Sequence, residues 1–599
     1  LGVQRMSKEK AIVRKLPAVE TLGAVTVICS DKTGTLTQNK MTVTKMYVDG
    51  STVETGGGGK GSPDKADLSE TGGLLMTALT LCNDATFTEG IATGDPTEVA
   101  LLEAASRYGM TKEKLSTSSP RLDEKPFDSD RKMMSTVNGG EGNPTVYTKG
   151  AVDSLLDRCT RIRENGEIRD LTDKDRESIL EAAERMSDDA LRVLAGAFRE
   201  LEAGADPENI DMKQLEHNLI FLGMVGMIDP PREEVKGSIR ECRKAGITPV
   251  MITGDHRITA LAIARELGIA ERDEESVSGA DIGNMSDDEL RERARTVRVF
   301  ARVSPEHKVR IVRALRANGN IVSMTGDGVN DAPSLRSADI GVAMGITGTD
   351  VAKGASDMVL MDDNFNTIVK AVEEGRNIYR NIKKSITFLL SCNAGEIVAV
   401  FTAMVAGLAS PLKPIHILWV NLITDTFPAL SLGVDPGDPG VMEDKPRDPE
   451  ESLFAGGTAA NVVLNGLVIG GLTLGIYFLA RRRYPGSLIH AQTMAFAALS
   501  FSQLFHAFDL RHRRLSVFQL GLLTNKALLG SLGLGAFLQI AIITLPGVSD
   551  VFSLLPLSLK DWLIVLAFAV SPVVFNEIGK LILRIRDRSR GRAEKREDV

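Results

Sequence analysis

The chain has 599 residues, of which 25% are charged, and its formal net charge is −8. This length exceeds what one hydrophobic core usually supports, so several domains are expected. The acidic balance offers no electrostatic footprint for a phosphate backbone and excludes nucleic acid as a partner. The five cysteines are scattered without a C-x-x-C pair, which excludes a disulfide framework or structural zinc site and fits a reducing compartment for the soluble part.

Three short apolar segments rich in β-branched residues each end in an aspartate. They are AVTVICSD, ITPVMITGD and NIVSMTGD, which end at Asp31, Asp255 and Asp327. Such runs are typical of buried parallel strands, and helical patterns between the later two predict an open, doubly wound α/β sheet. Because ligands bind beyond the carboxyl ends of these strands, we expect the three aspartates to converge there.

A long segment with its own helix and strand signals separates the first two predicted strands, and an inserted domain is the simplest interpretation. It contains the glycine-rich loop TGGGGKGSPD, residues 55–64. Position 54 is Glu, so the loop lacks the first glycine of a P-loop. The sequence therefore predicts a flexible hairpin or linker there.

Six apolar stretches follow, each about twenty residues, the length that spans a bilayer as a helix. They predict six transmembrane helices near 385–408, 412–433, 459–480, 491–510, 527–546 and 560–584. An even number returns both ends of this part to one side, taken as the cytoplasm. The basic segments DLRHRRLSVF and RIRDRSRGRAEKR agree with that orientation, whereas RRRYPG at 481–486 disagrees with it.

Asp31 is followed by threonines and a glycine, as CSDKTGTLTQNKMT. A carboxylate at a strand end can attack phosphorus and hold the phosphoryl group as an acyl phosphate. Asp327 in TGDGVNDAP offers a metal-binding carboxylate beside glycines that admit phosphate oxygens, and Lys308 in RVSPEHK offers positive charge. Each alone fits a turn or a solvated helix face, but together they favour phosphoryl transfer.

The motifs DKTGTLT (31–37), TGD (253–255) and TGDGVNDAP (325–333), in this order, resemble the signatures of the P-type cation-transporting ATPases. The resemblance covers essentially the whole chain and implies a haloacid-dehalogenase-like phosphorylation domain. It implies that Asp31 is phosphorylated and that Asp31, the Thr33 carbonyl and Asp327 bind Mg²⁺. It further implies a set that holds the phosphoryl group, with Asp331 adjacent: Thr253, Gly254, Asp255, Lys308 and Asn330.

Thr33 bears on the lifetime of the acyl phosphate. The related haloacid-dehalogenase phosphatases carry an acid–base aspartate two positions after the nucleophile, where this chain has Thr33. Without a base in place, the acyl phosphate should persist, which suits a pump and disfavours a simple phosphatase.

The inserted domain resembles the nucleotide-binding domain of the same family. KPFDSDRKMMS places Phe127 to stack on adenine and Lys132 near the phosphates. The resemblance also assigns ATP contacts in GDPTE, TKGA and ALRVLA to Glu98, Lys149, Gly150 and Arg192. The plain alternative is that Phe127 belongs to the core. DPPR, residues 229–232, resembles the hinge between the two cytoplasmic domains.

The first two apolar stretches carry polar residues at helical spacings of three and four. These are Asn393, Glu396, Asn421, Thr424 and Asp425. A helix–helix hydrogen bond explains Asn393 or Thr424 alone, but carboxylates inside a bilayer are costly and indicate function. Oxygen ligands suit a hard cation such as Ca²⁺. Cys392 falls only marginally off the Glu396 face, so a thiolate ligand is the less favoured alternative.

VNLITD resembles the calcium pumps of the sarcoplasmic-reticulum type and their bacterial relatives more than sodium–potassium or proton pumps. The resemblance implies ATP-driven Ca²⁺ export with proton counter-transport. Pumps with two calcium sites place a further glutamate in the fourth of these six helices, where SQLFHAFDLRHRR offers only Gln503, His506 and Asp509. We therefore expect one Ca²⁺ per cycle.

The family places four membrane helices, a PEGLP-like cation ligand and an actuator domain with a TGES loop before this region. The opening LGVQRMSKEKAIVRK shows no cleavable signal and is typical of the interior of a longer chain. We expect ATP binding and phosphorylation but no complete turnover without that missing amino-terminal part. The alternatives are a pump for Mn²⁺, Na⁺ or another cation, a membrane-tethered phosphatase, or a non-pumping regulatory fragment.

The expected fold class is α/β plus membrane α. The expected division is a stalk remnant at 1–20, a phosphorylation domain at 21–45 and 226–360, a nucleotide-binding α+β domain at 46–225, a stalk helix at 361–384, six transmembrane helices at 385–585 and a basic cytoplasmic tail at 586–599. The expected location is the plasma membrane of a prokaryote, with the lipid bilayer as a partner and the catalytic domains in the cytoplasm.

Overall fold

The computed structural model describes residues 2–55, 68–88, 90–140, 142–202, 215–438, 440–448, 451–512 and 515–597. Beyond Thr55, the glycine-rich loop predicted at 55–64 lies outside these residues. The chain divides into two compact units. The α/β unit comprises Val27–Arg243 and Ile247–Ile368, and the helical unit comprises Leu1–Thr26, Lys244–Gly246 and Val369–Val599.

The α/β unit contains the predicted parallel sheet. Across the sheet, its strands are ordered Met358–Leu360, Ile340–Met344, Val322–Gly326, Val27–Asp31, Thr248–Ile252, Val299–Ala301 and Ser276–Ser278. From Val27–Asp31 the chain continues on one side at Thr248–Ile252 and returns on the other at Val322–Gly326. The order of strands therefore reverses beside Asp31, which is where open α/β sheets bind ligands.

Helices connect these strands and cover a core that includes Phe300, Ile311, Met324 and Leu335. They are Glu233–Lys244, Arg257–Leu267, Gly279–Asn284, Asp287–Arg293, Pro305–Ala317, Ala332–Ser337 and Asp350–Ala355, with 3₁₀ turns at Asp273–Glu275 and Val329–Asp331. The α/β class is thus confirmed, and the haloacid-dehalogenase-like assignment stays a prediction.

A second, mixed sheet forms the insertion. Its strands are ordered Glu167–Asp170, Cys159–Glu164, Leu219–Ile228, Arg192–Glu200, Thr145–Gly150, Met133–Asn138 and Arg121–Asp128. Thr42–Val48 pairs with Leu219–Ile228 and with Ser51–Glu54. A separate hairpin pairs Thr86–Thr88 with Ile91–Thr93.

Two hydrophobic clusters cover this second sheet. Alternate residues of Leu219–Ile228 enter different clusters, Ile220 with Leu75 and Leu79, and Phe221 with Ile179, so helices bury both faces. The helices are Glu70–Leu81, Pro96–Arg107, Lys112–Ser118, Val152–Leu156 and Asp173–Asp188. The sheet runs from Thr42 to Ile228, slightly beyond the predicted limits of 46 and 225, and the exact domain division stays a prediction.

The helical unit contains long apolar helices. Within the described ranges, five helices have the length and composition to cross a membrane: Phe365–Val405, Pro414–Gly433, Thr458–Arg483, Lys526–Thr544 and Leu559–Ile582. The last continues to Glu597. The predicted stalk helix and first span form one continuous helix, Phe365–Val405, because a change from polar to apolar residues does not itself end a helix.

The sixth predicted stretch forms the helix Leu488–Asp509 but falls short of that composition. Polar residues such as Gln492, Ser500 and Gln503 lower its hydropathy, and nearly all of its residues are buried. The five spans agree with the sequence, and the sixth stays a prediction. Shorter elements of this unit are Gly2–Lys8, Ala11–Val13, Pro17–Leu22, Val441–Glu443, Val517–Leu520 and Val548–Val551.

Candidate active site

Asp31 is the last residue of the strand Val27–Asp31, and the chain turns sharply after it. Its N–H donates to Thr325 Oγ1 on the neighbouring strand at 3.0 Å. Gly34 has a φ of 76°, in the left-handed region that favours glycine. The strand end and this turn together present the Asp31 carboxylate at the edge of the sheet.

Lys308 bridges two carboxylates at this edge. Its Nζ lies 2.7 Å from Asp31 Oδ2 and 2.8 Å from Asp331 Oδ1. It occupies the first turn of Pro305–Ala317, a helix that starts at a capping box formed by Ser304 and His307. Burial alone would lower the pKa of Lys308, but the two carboxylates raise it to about 12. The ammonium therefore stays charged where it meets Asp31.

Asp331 also organises the loop that carries Asp327. Its Oδ2 accepts hydrogen bonds from the N–H groups of Asp327 at 3.2 Å and Gly328 at 3.0 Å. A Cβ at Gly326 would lie 2.5 Å from Asp331 Cβ, so only glycine fits there. Asp327 is thereby held at the end of its strand, as its motif predicts.

The two carboxylates assigned to Mg²⁺ suit a divalent cation. Burial and then the charges of Asp31 and Asp331 raise the pKa of Asp327, and burial raises the pKa of Asp31 against the opposing effect of Lys308. A cation between them would relieve this repulsion. Among the described residues, no cluster of three or more His, Cys, Asp or Glu side chains forms a metal site. The remaining ligands would be the Thr33 carbonyl, water or substrate.

The TGD motif reaches the same edge. Thr253 follows the strand Thr248–Ile252, and its Oγ1 accepts the N–H of Asp255 at 3.1 Å. Asp255 Oδ2 lies 2.5 Å from Lys32 Nζ. Gly254 and Asn330 are exposed. The structure thus places every predicted phosphoryl residue at the carboxyl edge of the sheet.

Four residues of this region were missed as site residues. Thr325 anchors Asp31 and Lys32 pairs with Asp255, as described above. Asp229 Oδ2 accepts the Thr37 hydroxyl at 2.5 Å, and Arg232 donates to the carbonyls of Gly34 at 2.9 Å and Thr37 at 3.0 Å. The DPPR segment, interpreted only as a hinge, therefore also braces the turn after Asp31.

Four predicted nucleotide residues meet at one end of the second sheet. The pairs Asp128 with Met133, Met133 with Gly150, and Ala195 with Gly150 bring the strand ends together. Phe127, Lys132, Gly150 and Arg192 lie at or next to these ends. Phe127 is 66% exposed, so the alternative that it belongs to the core is wrong.

Glu98 and Lys149 are engaged with each other. Lys149 Nζ forms an ion pair with Glu98 Oε1, and Glu98 Oε2 accepts the N–H groups of Asp84 at 3.0 Å and Ala85 at 3.1 Å. Lys149 is buried. Glu98 therefore positions Lys149.

The neighbouring nucleotide residues also have identified contacts. Arg192 donates to Thr97 Oγ1 at 3.1 Å, and Lys132 Nζ lies 3.5 Å from Asp153 Oδ2. A Cβ at Gly150 would lie 2.5 Å from Met133 Cγ, so the close approach of these two strands requires glycine at position 150. These contacts fix the end of the sheet around the exposed Phe127 ring.

The membrane carboxylates lie on two neighbouring helices. Glu396 Oε2 accepts from Asn421 Nδ2 at 3.3 Å, and Glu396 Oε1 accepts from Gln503 Nε2 at 3.2 Å. Thr424 Oγ1 donates to the Val420 carbonyl at 2.9 Å. The helix is interrupted by a π turn, Val420–Thr424, just before Asp425. Such turns are frequent at functional sites.

Asp425 is fully buried, and among the described residues neither of its oxygens has a nitrogen or oxygen donor. The thiol of Cys392 lies next to it. Asn393 is half-buried, and Asn421 is exposed. Three residues of Leu488–Asp509 were weighed against the further glutamate of two-site pumps. Gln503 reaches Glu396, Asp509 pairs with Lys580 at 2.7 Å, and His506 is buried.

A sheet edge that gathers aspartates around one lysine, followed by apolar helices with buried carboxylates, is the arrangement expected of an ion-translocating ATPase. Two family profiles match the chain: "P-type ATPase, cytoplasmic domain N" over residues 73–234 and "Cation transporting ATPase, C-terminus" over 409–582. The chain therefore belongs to the P-type cation-transporting ATPases, as its motifs predicted, and is an integral membrane protein.

Curated relatives agree over nearly the whole chain. "Calcium-transporting ATPase 1" of Bacillus cereus is 57% identical over 97% of this chain and 66% of the relative. "Calcium-transporting ATPase" of Bacillus subtilis is 46% identical over 98% of this chain and 67% of the relative. "Probable cation-transporting ATPase F" of Mycobacterium tuberculosis is 38% identical over 98% of this chain and 66% of the relative. The chain thus spans about two thirds of the length of these relatives.

Proposed function

We propose that this chain supplies the catalytic and carboxyl-terminal membrane part of an ATP-driven Ca²⁺ pump that works through an aspartyl phosphate at Asp31. The observation that carries the proposal is the bridge from Lys308 to Asp31 and Asp331 at the edge of the parallel sheet, with Asp327 beside it. The family membership and the names of the relatives support it.

Asp31 is the nucleophile in this proposal. Oδ2 is held by Lys308, which leaves Oδ1 to attack the γ-phosphorus of ATP. The Oδ1–P bond forms as the bond from phosphorus to the leaving ADP oxygen breaks. Mg²⁺, held by Asp31, Asp327 and the Thr33 carbonyl, would neutralise charge on the transferring group. Lys308, Thr253, Gly254 and Asn330 orient the phosphoryl oxygens.

The nucleotide enters at the end of the second sheet. Phe127 offers an exposed ring for the adenine, and Lys132 and Arg192 offer positive charge near it. Lys149 is held in place by Glu98. An aromatic face beside cations meets the physical requirements for binding ATP.

The transported ion binds between the membrane helices in this proposal. Its ligands come from Asn393, Glu396, Asn421, Thr424 and Asp425. Two carboxylates with amide and hydroxyl oxygens suit Ca²⁺. Gln503 is neutral, and Asp509 is already paired with Lys580, which supports one Ca²⁺ per cycle. Turnover then depends on the actuator and first four helices expected in the remaining third of the pump, with the α/β unit in the cytoplasm of a prokaryote.

Phosphorylation of Asp31 provides the direct test. The purified chain is incubated with γ-labelled ATP and Mg²⁺, with Ca²⁺, Mn²⁺, Na⁺ or a chelator, and the acid-stable label is measured. We expect hydroxylamine-sensitive, Ca²⁺-dependent label that is lost in Asp31→Asn and kept in the control Asp339→Asn. Asp339 pairs with Arg316 away from the site. Label that survives in Asp31→Asn would contradict the proposal, and label that follows Mn²⁺ or Na⁺ would change the assigned ion.

The residue at position 33 distinguishes the proposed pump from the alternative of a tethered phosphatase. Because no acid–base residue stands at position 33, we expect the label to persist after the ATP is removed. Substitution Thr33→Asp should shorten its lifetime. Rapid loss of label from the unmodified chain would favour the phosphatase alternative.

A further inference from the structure

A cavity of about 1020 Å³ lies at one end of the helix bundle. Its walls come from the helix Phe365–Val405, the start of Thr458–Arg483, the end of Leu488–Asp509 and the last apolar turns of Leu559–Glu597, with the segment around Val441–Glu443 beside them. We call it the interfacial cavity. None of the five residues proposed for Ca²⁺ lines it.

More basic than acidic side chains line the interfacial cavity. Seven Lys and Arg residues line it, against five Asp and Glu residues. Arg380 is neutralised by Asp438 at 2.7 Å and by Asp444, and Lys580 by Asp509. Lys384 is neutralised by Asp435 at 3.1 Å, and Arg447 by Glu20 at 3.1 Å. Lys383 Nζ instead donates to a main-chain carbonyl at 3.3 Å. Within the part of the chain that the structure describes, neither Lys383 nor Lys445 has a carboxylate at ion-pair distance.

A helix also begins at the interfacial cavity. Thr458–Arg483 is 26 residues long and starts after Gly457 without a side-chain cap. Thr458, Ala460 and Asn461 of its first turn line the cavity. The positive end of the helix dipole therefore acts together with Lys383 and Lys445 to favour an anion.

The opposite wall of the interfacial cavity is apolar and exposed. Leu464, Phe575 and Ile582 line it and are 46%, 48% and 60% exposed. All three belong to helices with the length and composition of membrane spans. Such residues suit contact with hydrocarbon chains, whereas a soluble anion makes no favourable contact with apolar side chains.

We propose that the interfacial cavity binds an anionic glycerophospholipid. The phosphate lies near Lys383, Lys445 and the start of Thr458–Arg483, and the acyl chains lie along Leu464, Phe575 and Ile582. Basic pockets between membrane helices at the membrane surface are known to take such head groups. The chemistry recognised is a phosphate ester, and the apolar wall selects the lipid over a free phosphate.

Native mass spectrometry of the purified chain in detergent tests the proposal. The probes are dioleoyl phosphatidylglycerol and, as the neutral reference, dioleoyl phosphatidylcholine. We expect stronger retention of the phosphatidylglycerol by the unmodified chain. The double variant Lys383→Gln, Lys445→Gln should lower this preference by about fivefold for each removed charge. Glutamine can still donate the hydrogen bond that Lys383 makes.

Lys560→Gln is the matched control, because Lys560 is an exposed lysine near the opposite end of the last helix. It should keep the preference. Leu464→Trp should remove the preference by filling the apolar wall while both lysines remain. A preference that persists in both the double lysine variant and Leu464→Trp would overturn the proposal, as would equal losses in the lysine variant and the Lys560→Gln control.

Soluble sn-glycerol 3-phosphate distinguishes the two sources of phosphate. We expect that excess glycerol 3-phosphate leaves the bound phosphatidylglycerol in place, because it lacks the acyl chains. Full displacement at concentrations equal to the lipid would show a site for a free anion and would overturn the lipid assignment. Unchanged thermal unfolding of each variant establishes that the helical unit remains folded.

Discussion

Asp31 is half-buried and Asp425 is fully buried, but of the two only Asp31 has a cation against it among the described residues. Lys308 lies 2.7 Å from Asp31 and links it to Asp331, whose other oxygen accepts two main-chain N–H groups. In the part of the chain that the structure describes, no nitrogen or oxygen donor reaches either oxygen of Asp425. The sheet edge thus supplies the compensating charge itself, whereas Asp425 lies where a ligand would have to supply it.

This difference has an energetic meaning. Pairing offsets part of the free energy that it costs to bury a charge, and removal of the partner leaves an uncompensated buried charge. A buried polar group without a partner costs free energy from the outset. Structures retain such groups where they bind something, which agrees with a cation site at Asp425. Substitutions at the two regions should therefore have opposite effects.

The largest effect is expected for Lys308→Ala. It leaves Asp31 and Asp331 facing each other without a cation, which should lower the free energy of unfolding by about 3 kcal/mol. Thermal unfolding of the purified chain measures it. Lys45→Ala is the control, because Lys45 forms a more exposed pair with Asp189 at 2.6 Å and should cost less than about 1 kcal/mol. Equal losses would show that burial of the Lys308 cluster does not matter.

The second prediction compares two aspartates of the helical unit without added cation. Asp425→Asn should raise the unfolding temperature in a chelator, because it removes a buried carboxyl group for which the described residues supply no nitrogen or oxygen donor. The gain should be on the order of 1–3 kcal/mol. Asp435→Asn should lower it, since Asp435 accepts from Arg511 at 2.9 Å and Asn525 at 2.8 Å and lies 3.1 Å from Lys384.

Added Ca²⁺ provides a second test of the difference between Asp425→Asn and Asp435→Asn. A ligand that binds the folded state stabilises it, so Ca²⁺ should raise the unfolding temperature of the unmodified chain and of Asp435→Asn. Asp425→Asn should not respond. If Asp425→Asn destabilises the chain in chelator as Asp435→Asn does, then Asp425 has a partner in solution and the contrast drawn above is wrong.

The third prediction concerns an exposed aromatic ring. Phe127→Ala should weaken ATP binding by about tenfold, because stacking on an aromatic ring contributes about 1–3 kcal/mol per base. The unfolding temperature should not change, since Phe127 is 66% exposed. Fluorescence of a bound nucleotide analogue measures the affinity. Leu122, on the same strand, is 46% exposed, and Leu122→Ala should leave the affinity for ATP unchanged. A similar loss of affinity in both variants would contradict stacking of Phe127 on the adenine.

Local sequence patterns predicted the residues that strands carry to their ends. The β-branched runs before Asp31, Asp255 and Asp327 form parallel strands, and the motif residues meet at one edge because parallel strands share it. The polar residues of the membrane helices also stand out in the sequence, because carboxylates are rare in apolar stretches.

Contacts between distant residues were not predictable in this way. Thr325 with Asp31, and Asp229 and Arg232 with the turn after Asp31, join positions far apart in the chain. The spacing of apolar residues along the sequence does not indicate which distant residues come into contact. The helix Leu488–Asp509 shows the same limit, because its polar residues look unfavourable for a membrane span until its burial among other helices is known.

The smallest effect is expected at the turn that follows Asp31. Gly34 has a φ of 76°, and a Cβ there would meet only Asn39 at an ordinary distance of 3.7 Å. The cost of Gly34→Ala is therefore one of backbone conformation, about 1–2 kcal/mol. Gly254→Ala at the same sheet edge is the control, because nothing lies within 4 Å of its Cβ position. The midpoint temperature of thermal unfolding should fall for Gly34→Ala and stay unchanged for Gly254→Ala. An equal loss at both positions would mean that the edge tolerates no side chain at either glycine, and that φ at Gly34 is not what the turn requires.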